Sequence, residues 1–454
     1  LILLETHFEK LLNDFDPIQR QQAAKALAVQ AKNGEFVCRA ENPSFNLHCH
    51  TFFSYNAYGF SPAGLAWLAK KKGYRALGIV DFDTLDGVNE FLDNCELLEV
   101  RGSAGIETRV YIPEFAQHEI NSPGEQGVCY HMGLGFASSD APEIAVNILR
   151  DLRQRSDQRN RAMIERINQY LELVNVDYDK DVLPLTPAGN ATERHMLTAY
   201  IRCAEEQVSD VDGFWSKALG LTREQVREII IDTVKFPNMI RVKLMKRGGV
   251  GYVQPGPTTF PSVDEFHQLI TACGAIPCFA WLDGTSSGEQ AIKELLELMV
   301  SKGVGVVNII PDRNWNISNP EQRKQKVQHL YDFVKLAQDM DLPVNVGTEM
   351  NSPGNKYVDD FDAPELAPLY PIFYDGASFI YGHTLMQRAL GCGYQSVWAQ
   401  KHLPTRPERN TFFTQLGKLL PPGSAWVDLL KTFNSSYSPQ EILQGLSSKV
   451  RSND

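Results

Sequence analysis

The stretch Asn46-Leu47-His48-Cys49-His50-Thr51 decides how this chain is read. Phe45 and Leu47 are apolar, so the segment reads as the end of a short strand. In a strand, residues i and i+2 point to the same face, and two imidazoles at that spacing converge on one point. Convergent neutral imidazoles suit a divalent cation, because each offers a ring-nitrogen lone pair. Two histidines at this spacing also occur in ordinary strands, so the rest of the chain must decide.

Working outward, the run Phe45 to Leu47 is followed by a helix opening at Ser61-Pro62, a strand at Ala76 to Val80 and a helix from Asp86 to about Val100. Short apolar runs recur at Arg109 to Ile112, Val128 to Phe136, Ala275 to Ala280, Gly305 to Ile310 and Pro343 to Val346. Strands alternating with amphipathic stretches predict βα units. Between Asp140 and Asp264 the spacing is mostly helical (Glu143 to Val174, Ala191 to Gln207, Thr222 to Lys235), with a Gly- and Pro-rich loop from Gly248 to Pro261. This reads as an insertion into the βα frame. Residues 1–33 form two helical pieces divided by Asp16-Pro17, an N-cap followed by a first-turn proline, with Gly34 as the stop.

The 454 residues carry 44 Lys and Arg against 55 Asp and Glu, a formal charge of -11. That balance argues against a surface built for nucleic acid or anionic lipid, both of which need clustered cations. A local basic pocket stays compatible with it. The eight cysteines are scattered without a CxxC pair, so neither a zinc knuckle nor a disulfide framework is expected, and a reducing, cytoplasmic setting fits best. No apolar run approaches the ~18 to 20 residues of a membrane span, and the start LILLETHFEK lacks a basic region followed by an apolar one.

Three further motifs fall at strand ends, where barrel chemistry collects: Gly105-Ile106-Glu107, Cys129-Tyr130-His131, and Arg194-His195 opening the helix after Gly189-Asn190. With His48-Cys49-His50-Thr51 ahead of them and Gly347-Thr348-Glu349 behind, the ordered series from about Phe45 to Asn351 resembles the polymerase and histidinol phosphatase (PHP) family. The resemblance implies an α/β fold: a distorted (β/α)7-type barrel formed by residues 44–139 and 265–362, a mainly helical insertion at 140–264, and helical extensions at 1–43 and 363–454. The extensions either cover the barrel or supply an oligomer contact.

The resemblance also implies a ligand set. One metal takes His48, His50, Glu107 and Glu349; a second shares Glu107 and adds His131 and His195. The positions of a third read Tyr55, Phe82 and Asn351, none a good metal ligand, so all the losses fall on one ion and a binuclear site is expected. The ions, zinc, manganese or iron, would activate a water as hydroxide, with Glu107 bridging and Glu349 either ligating or accepting a proton. Arg194 and Arg313 are candidates for gripping a small, anionic, phosphorylated substrate through paired guanidinium hydrogen bonds. Trp281 stands where the family usually has a histidine, and it reads either as a stacking surface for a flat ligand or as barrel-mouth packing. Asp81 and Asp83 flank the position of Phe82, and Asp83 reads as a cap for the following helix. His383 reads as a structural histidine or a group near the mouth, and His7, His118, His267, His329 and His402 as surface or core. Three functions compete: a phosphoesterase, a hydrolase of a cyclic amide or ester on the same site, and a catalytically silent PHP-like binding protein. Nucleic acid and membrane are not expected partners.

Overall fold

The apolar run ahead of His48 forms β1 (Asn42–Cys49), the first of seven strands in a computed structural model that describes residues 6–453. The others are β2 (Tyr74–Phe82), β3 (Arg101–Tyr111), β4 (Val128–Leu134), β5 (Ile276–Trp281), β6 (Val306–Ile309) and β7 (Val344–Val346), and they lie side by side in chain order. β1, β2 and β3 run parallel, β4 runs antiparallel to both its neighbours, and β5, β6 and β7 are parallel again. A parallel bridge between Cys49 and Glu349 joins the two edges, so the sheet closes into a barrel distorted by its one reversed strand. Closure removes the open edges that would otherwise seek a partner chain. β3 begins eight residues before the expected Arg109, and its early part, Gly102 to Thr108, is buried.

At the N-terminus, α1 (His7–Leu11) and α2 (Pro17–Lys32) flank the predicted break: Asp16 caps α2 by accepting from the Ile18 amide, and Pro17 holds its first turn. The part of the expected first helical piece at residues 1–5 lies outside the described residues. α3 (Pro62–Lys72) opens on the expected cap, with the Ser61 hydroxyl accepting from the Gly64 amide, and α4 (Val88–Leu98) follows β2. α5 (Glu143–Leu171), α6 (Glu193–Gln207), α7 (Val211–Leu219), α8 (Arg223–Ile230) and α9 (Lys235–Leu244) make the insertion, and α10 (Val263–Ala272) returns the chain to β5. α11 (Ser287–Gln290) and α12 (Ile292–Ser301) connect β5 to β6; α13 (Asp312–Trp315) and α14 (Pro320–Asp339) connect β6 to β7. α15 (Tyr370–Leu390), α16 (Val397–His402), α17 (Arg406–Leu419), α18 (Ser424–Leu430) and α19 (Pro439–Asn453) complete the chain.

Two apolar cores result. The larger joins the barrel wall to its surrounding helices, and it includes Ala23, Ala24 and Leu27 of α2 and Phe373, Phe379, Phe413 and Leu446 of the C-terminal helices. Both extensions therefore cover the barrel. The smaller core, from Ile164 to Met245, belongs to the insertion. α5 spans the two: Ala145, Ile148 and Leu152 pack with the barrel, and Ile164, Ile167 and Leu171 pack in the second core. One 29-residue helix thus fixes the insertion over the barrel mouth. Among the described residues no helix is long and apolar enough to cross a membrane.

Candidate metal centre

His48 ends the regular part of β1 and His50 follows it, and both rings turn into the barrel. The Nε2 atoms of His48 and His50 lie 3.3 and 3.2 Å from the same oxygen, Oε2 of Glu107 on β3. All three residues are buried, and one ligand atom from each falls within 4.8 Å of the others. Although burial opposes its charge, the adjacent His48 holds the Glu107 carboxyl down to about 2. Burial works against the His48 imidazolium too, yet the Glu107 carboxylate outweighs it and raises His48 above its ordinary value.

The far side of His50 fixes which nitrogen is free. Its Nδ1 lies 3.1 Å from Ser54 Oγ, and that hydroxyl donates to Asp81 Oδ1 at 2.6 Å. Asp81 also accepts from the Thr51 amide and hydroxyl, each at 2.7 Å. Since the one Ser54 proton goes to Asp81, the Ser54 oxygen accepts from His50 Nδ1–H, and Nε2 keeps its lone pair. This Nε2 is buried and has no hydrogen-bond partner among the described residues. The Asp81 and Ser54 roles were not legible as such in the sequence, although Asp81 next to Phe82 was the available signal. On the other ring, His48 Nδ1 lies 3.2 Å from the Asn308 amide, whose oxygen accepts from Asn345.

Glu349 joins this cluster through the backbone. Its amide donates to the His48 carbonyl at 2.7 Å, and its carbonyl accepts from the His50 amide at 2.8 Å. The Glu349 side chain meets Arg313, whose Nη2 donates to Oε2 at 2.7 Å, so these two sequence candidates neutralise one another at the edge of the cavity.

His131 does not reach the site. It pairs with Thr108 and Phe279, one register step from Glu107, and therefore faces outward through the barrel wall. Its Nε2 lies 2.7 Å from Nε2 of His267 on α10, and His267 in turn donates from Nδ1 to the Lys302 carbonyl. Burial lowers both imidazoles. The inward neighbour at this point of β4 is Tyr130, which lines the cavity opposite Arg109. His195 also stands outside the three-residue cluster: as the third residue of α6 its Nδ1 accepts from the Thr192 amide at 3.1 Å, and burial pushes it down to about 4. The binuclear set expected from the sequence is therefore not assembled; one cluster is, among the described residues.

Of the other candidates, Trp281 is buried and stacks on Phe333 of α14 with centroids 4.6 Å apart, which is the barrel-packing alternative, and it also borders the cavity. Phe82 stacks on His50 at 4.4 Å, and Tyr55 meets His195 edge-on at 5.2 Å, so two of the three eroded positions are occupied by rings packed on the site histidines. Asp83 does not cap α4, whose first turn has no side-chain cap; it accepts from the Thr108 hydroxyl with its backbone at φ 57°. His383 is structural: its Nε2 donates to the Gly135 carbonyl, and its Nδ1 accepts from the Tyr394 amide.

The cluster opens into a cavity of about 1130 Å3 between the barrel mouth and the insertion. Arg194 lines it, donating to Asn238 and Ser352 at 2.9 and 2.8 Å, and it forms no ion pair among the described residues. Burial, with Arg241 nearby, lowers Arg194 to about 10, which leaves it cationic at neutral pH. Nine Lys and Arg residues line this cavity against five Asp and Glu, the reverse of the chain as a whole.

No protein-family model matches this chain, and no curated protein matches it. Among solved structures it is similar to an amidohydrolase from Chromobacterium violaceum, solved with bound sulfate and without metal, at a TM-score of 0.46 and 16% identity over 73% of this chain and 96% of that one. It is also similar to a protein described as a metal-dependent phosphoesterase from Bifidobacterium adolescentis, at a TM-score of 0.46 and 19% identity over 73% of this chain and 97% of that one.

Proposed function

We propose that this chain is a metal-dependent hydrolase that cleaves an ester bond of a small, phosphorylated substrate. The observation that carries the reading is the convergence of His48, His50 and Glu107, with the His50 Nε2 lone pair buried 3.2 Å from a carboxylate oxygen. Two electron-rich atoms facing each other away from water are costly unless a cation or proton is shared between them. The donor set of two imidazoles and one carboxylate fits zinc, manganese or iron. When bound there, such an ion would supply Lewis-acid polarisation of the substrate and would lower the pKa of a water.

The chain's own residues supply the rest. Asp81 and Ser54 orient His50 and keep its proton on Nδ1. Glu349, beside the cluster, would take a proton from an attacking water, with Arg313 holding its carboxylate in position. Arg194, a cation with no carboxylate partner among the described residues, would hold a substrate phosphate. A count of one ion per chain suits this arrangement, because His131 is committed to His267.

The test is hydrolysis of phosphate mono- and diesters with added manganese, zinc or iron, by the wild type and by Glu107→Gln. Turnover that falls at least ~100-fold in the variant supports the reading. Cleavage of a cyclic amide or carboxylic ester, with no phosphoester cleaved, would move the assignment to that bond; absence of any turnover together with absence of bound metal would leave a binding protein.

A further inference from the structure

The insertion brings to the cavity a second cationic feature, separate from the metal cluster. Glu107 and Arg109 are two apart on the inner face of β3, which places Arg109 roughly 7 Å further along the strand. The Arg109 guanidinium lies 4.2 Å from the ring centroid of Phe260, and the Arg159 guanidinium, from α5, lies 4.7 Å from the same centroid. Both line the cavity. Arg109 is paired with Glu125 at 2.9 Å, whereas Arg159 forms no ion pair among the described residues and donates to the Thr259 carbonyl at 3.2 Å. Asp83 also lines the cavity, where it accepts from the Thr108 hydroxyl and its charge favours the Arg159 cation. Burial, with Arg109 and Arg155 nearby, lowers Arg159 to about 10 although Asp83 and Glu125 act the other way.

Packing guanidinium groups on one aromatic ring costs Coulomb energy that an anion between them would recover. We propose that Arg159 and Arg109, on their Phe260 shelf, form a second anion-binding subsite that takes a phosphate-like group at the far end of the substrate. The substrate class is then a small molecule with two anionic groups, one at the metal cluster and one on the insertion. This rests on reading the cavity as the substrate site; it does not depend on the metal. The cavity volume suits a small molecule, and the acidic chain outside the cavity disfavours a long nucleic acid.

The experiment is calorimetric titration of inorganic phosphate into the full chain after EDTA treatment, using the wild type, a His48→Ala, His50→Ala double variant, Arg159→Gln and Arg159→Lys, each checked for folding by circular dichroism. The expected result is saturable binding of equal strength in the wild type and the double variant, at least tenfold weaker binding in Arg159→Gln, and an intermediate value in Arg159→Lys, which keeps the charge but loses the planar fork. Unchanged binding in both Arg159 variants would overturn the subsite, as would binding that disappears in the double variant or no saturable binding by any form. If the hydrolase reading fails while phosphate binding still depends on Arg159, the subsite stands by itself.

Discussion

The amide of Glu349 donates to the carbonyl of His48 at 2.7 Å, so the contact that closes the barrel also sets the candidate metal site. Gly347 makes this approach possible. A Cβ there would lie 2.5 Å from the His48 nitrogen and 2.3 Å from the Asn46 side-chain oxygen. Gly347→Ala is expected to cost ~2 kcal/mol or more through overpacking against backbone, and to weaken metal binding along with stability. Thermal melts of the metal-free protein and metal titrations of the variant check both effects.

Orientation of His50 is expected to depend on Asp81 through Ser54. Replacing Ser54 by Ala removes the acceptor of the His50 Nδ1 proton, and replacing Asp81 by Asn weakens the acceptor that orients the Ser54 hydroxyl; in each, metal affinity should fall roughly 10- to 100-fold with the fold retained. Competition with a chromophoric chelator measures this. Equal affinity in wild type and both variants would show that the relay does not position the ring.

Asp359, which is not a member of the cluster, gives a separate pH dependence. Both its carboxylate oxygens are buried, and burial, with Asp312 nearby, pushes it up to about 7. A carboxyl raised on folding contributes stability that is complete below its unfolded value near 3.8 and is lost as pH rises through 7. Asp359→Asn should flatten this slope and be the more stable form at pH 8, by up to ~4 kcal/mol at about 1.4 kcal/mol per pKa unit. Urea denaturation at pH 5 and pH 8 gives the comparison.

If Arg194 holds substrate phosphate, Arg194→Ala should raise KM for a phosphoester at least tenfold with a smaller change in kcat, and Arg194→Lys should recover part of the loss. Steady-state kinetics on whichever ester the wild type cleaves decides it. A loss confined to kcat would place the guanidinium in transition-state stabilisation instead of binding.

The strand segments and the convergence of His48 with His50 were legible because period-two alternation and apolar runs are local to short segments. The same local logic failed at His131. Adjacent strand residues face opposite sides, and nothing in Cys129-Tyr130-His131 says which of the last two points inward. That choice is fixed by register with Thr108 and Phe279, two separate strands, and it put Tyr130 in the cavity and His131 against His267. Trp281 is a second case of alternation: Ala280 faces in beside Asn308, and the indole faces α14. The Asp81, Ser54 and His50 chain and the Arg109, Phe260 and Arg159 cluster join residues up to 151 positions apart in sequence, so no window of sequence contains them. Alternating arginines along α5 were the one local trace of the second.

The most direct measurement is elemental analysis of the protein purified without added metal, beside the His48→Ala, His50→Ala double variant. About one divalent ion per chain is expected, absent from the variant. No bound metal in the wild type, even after incubation with manganese or zinc, would contradict it.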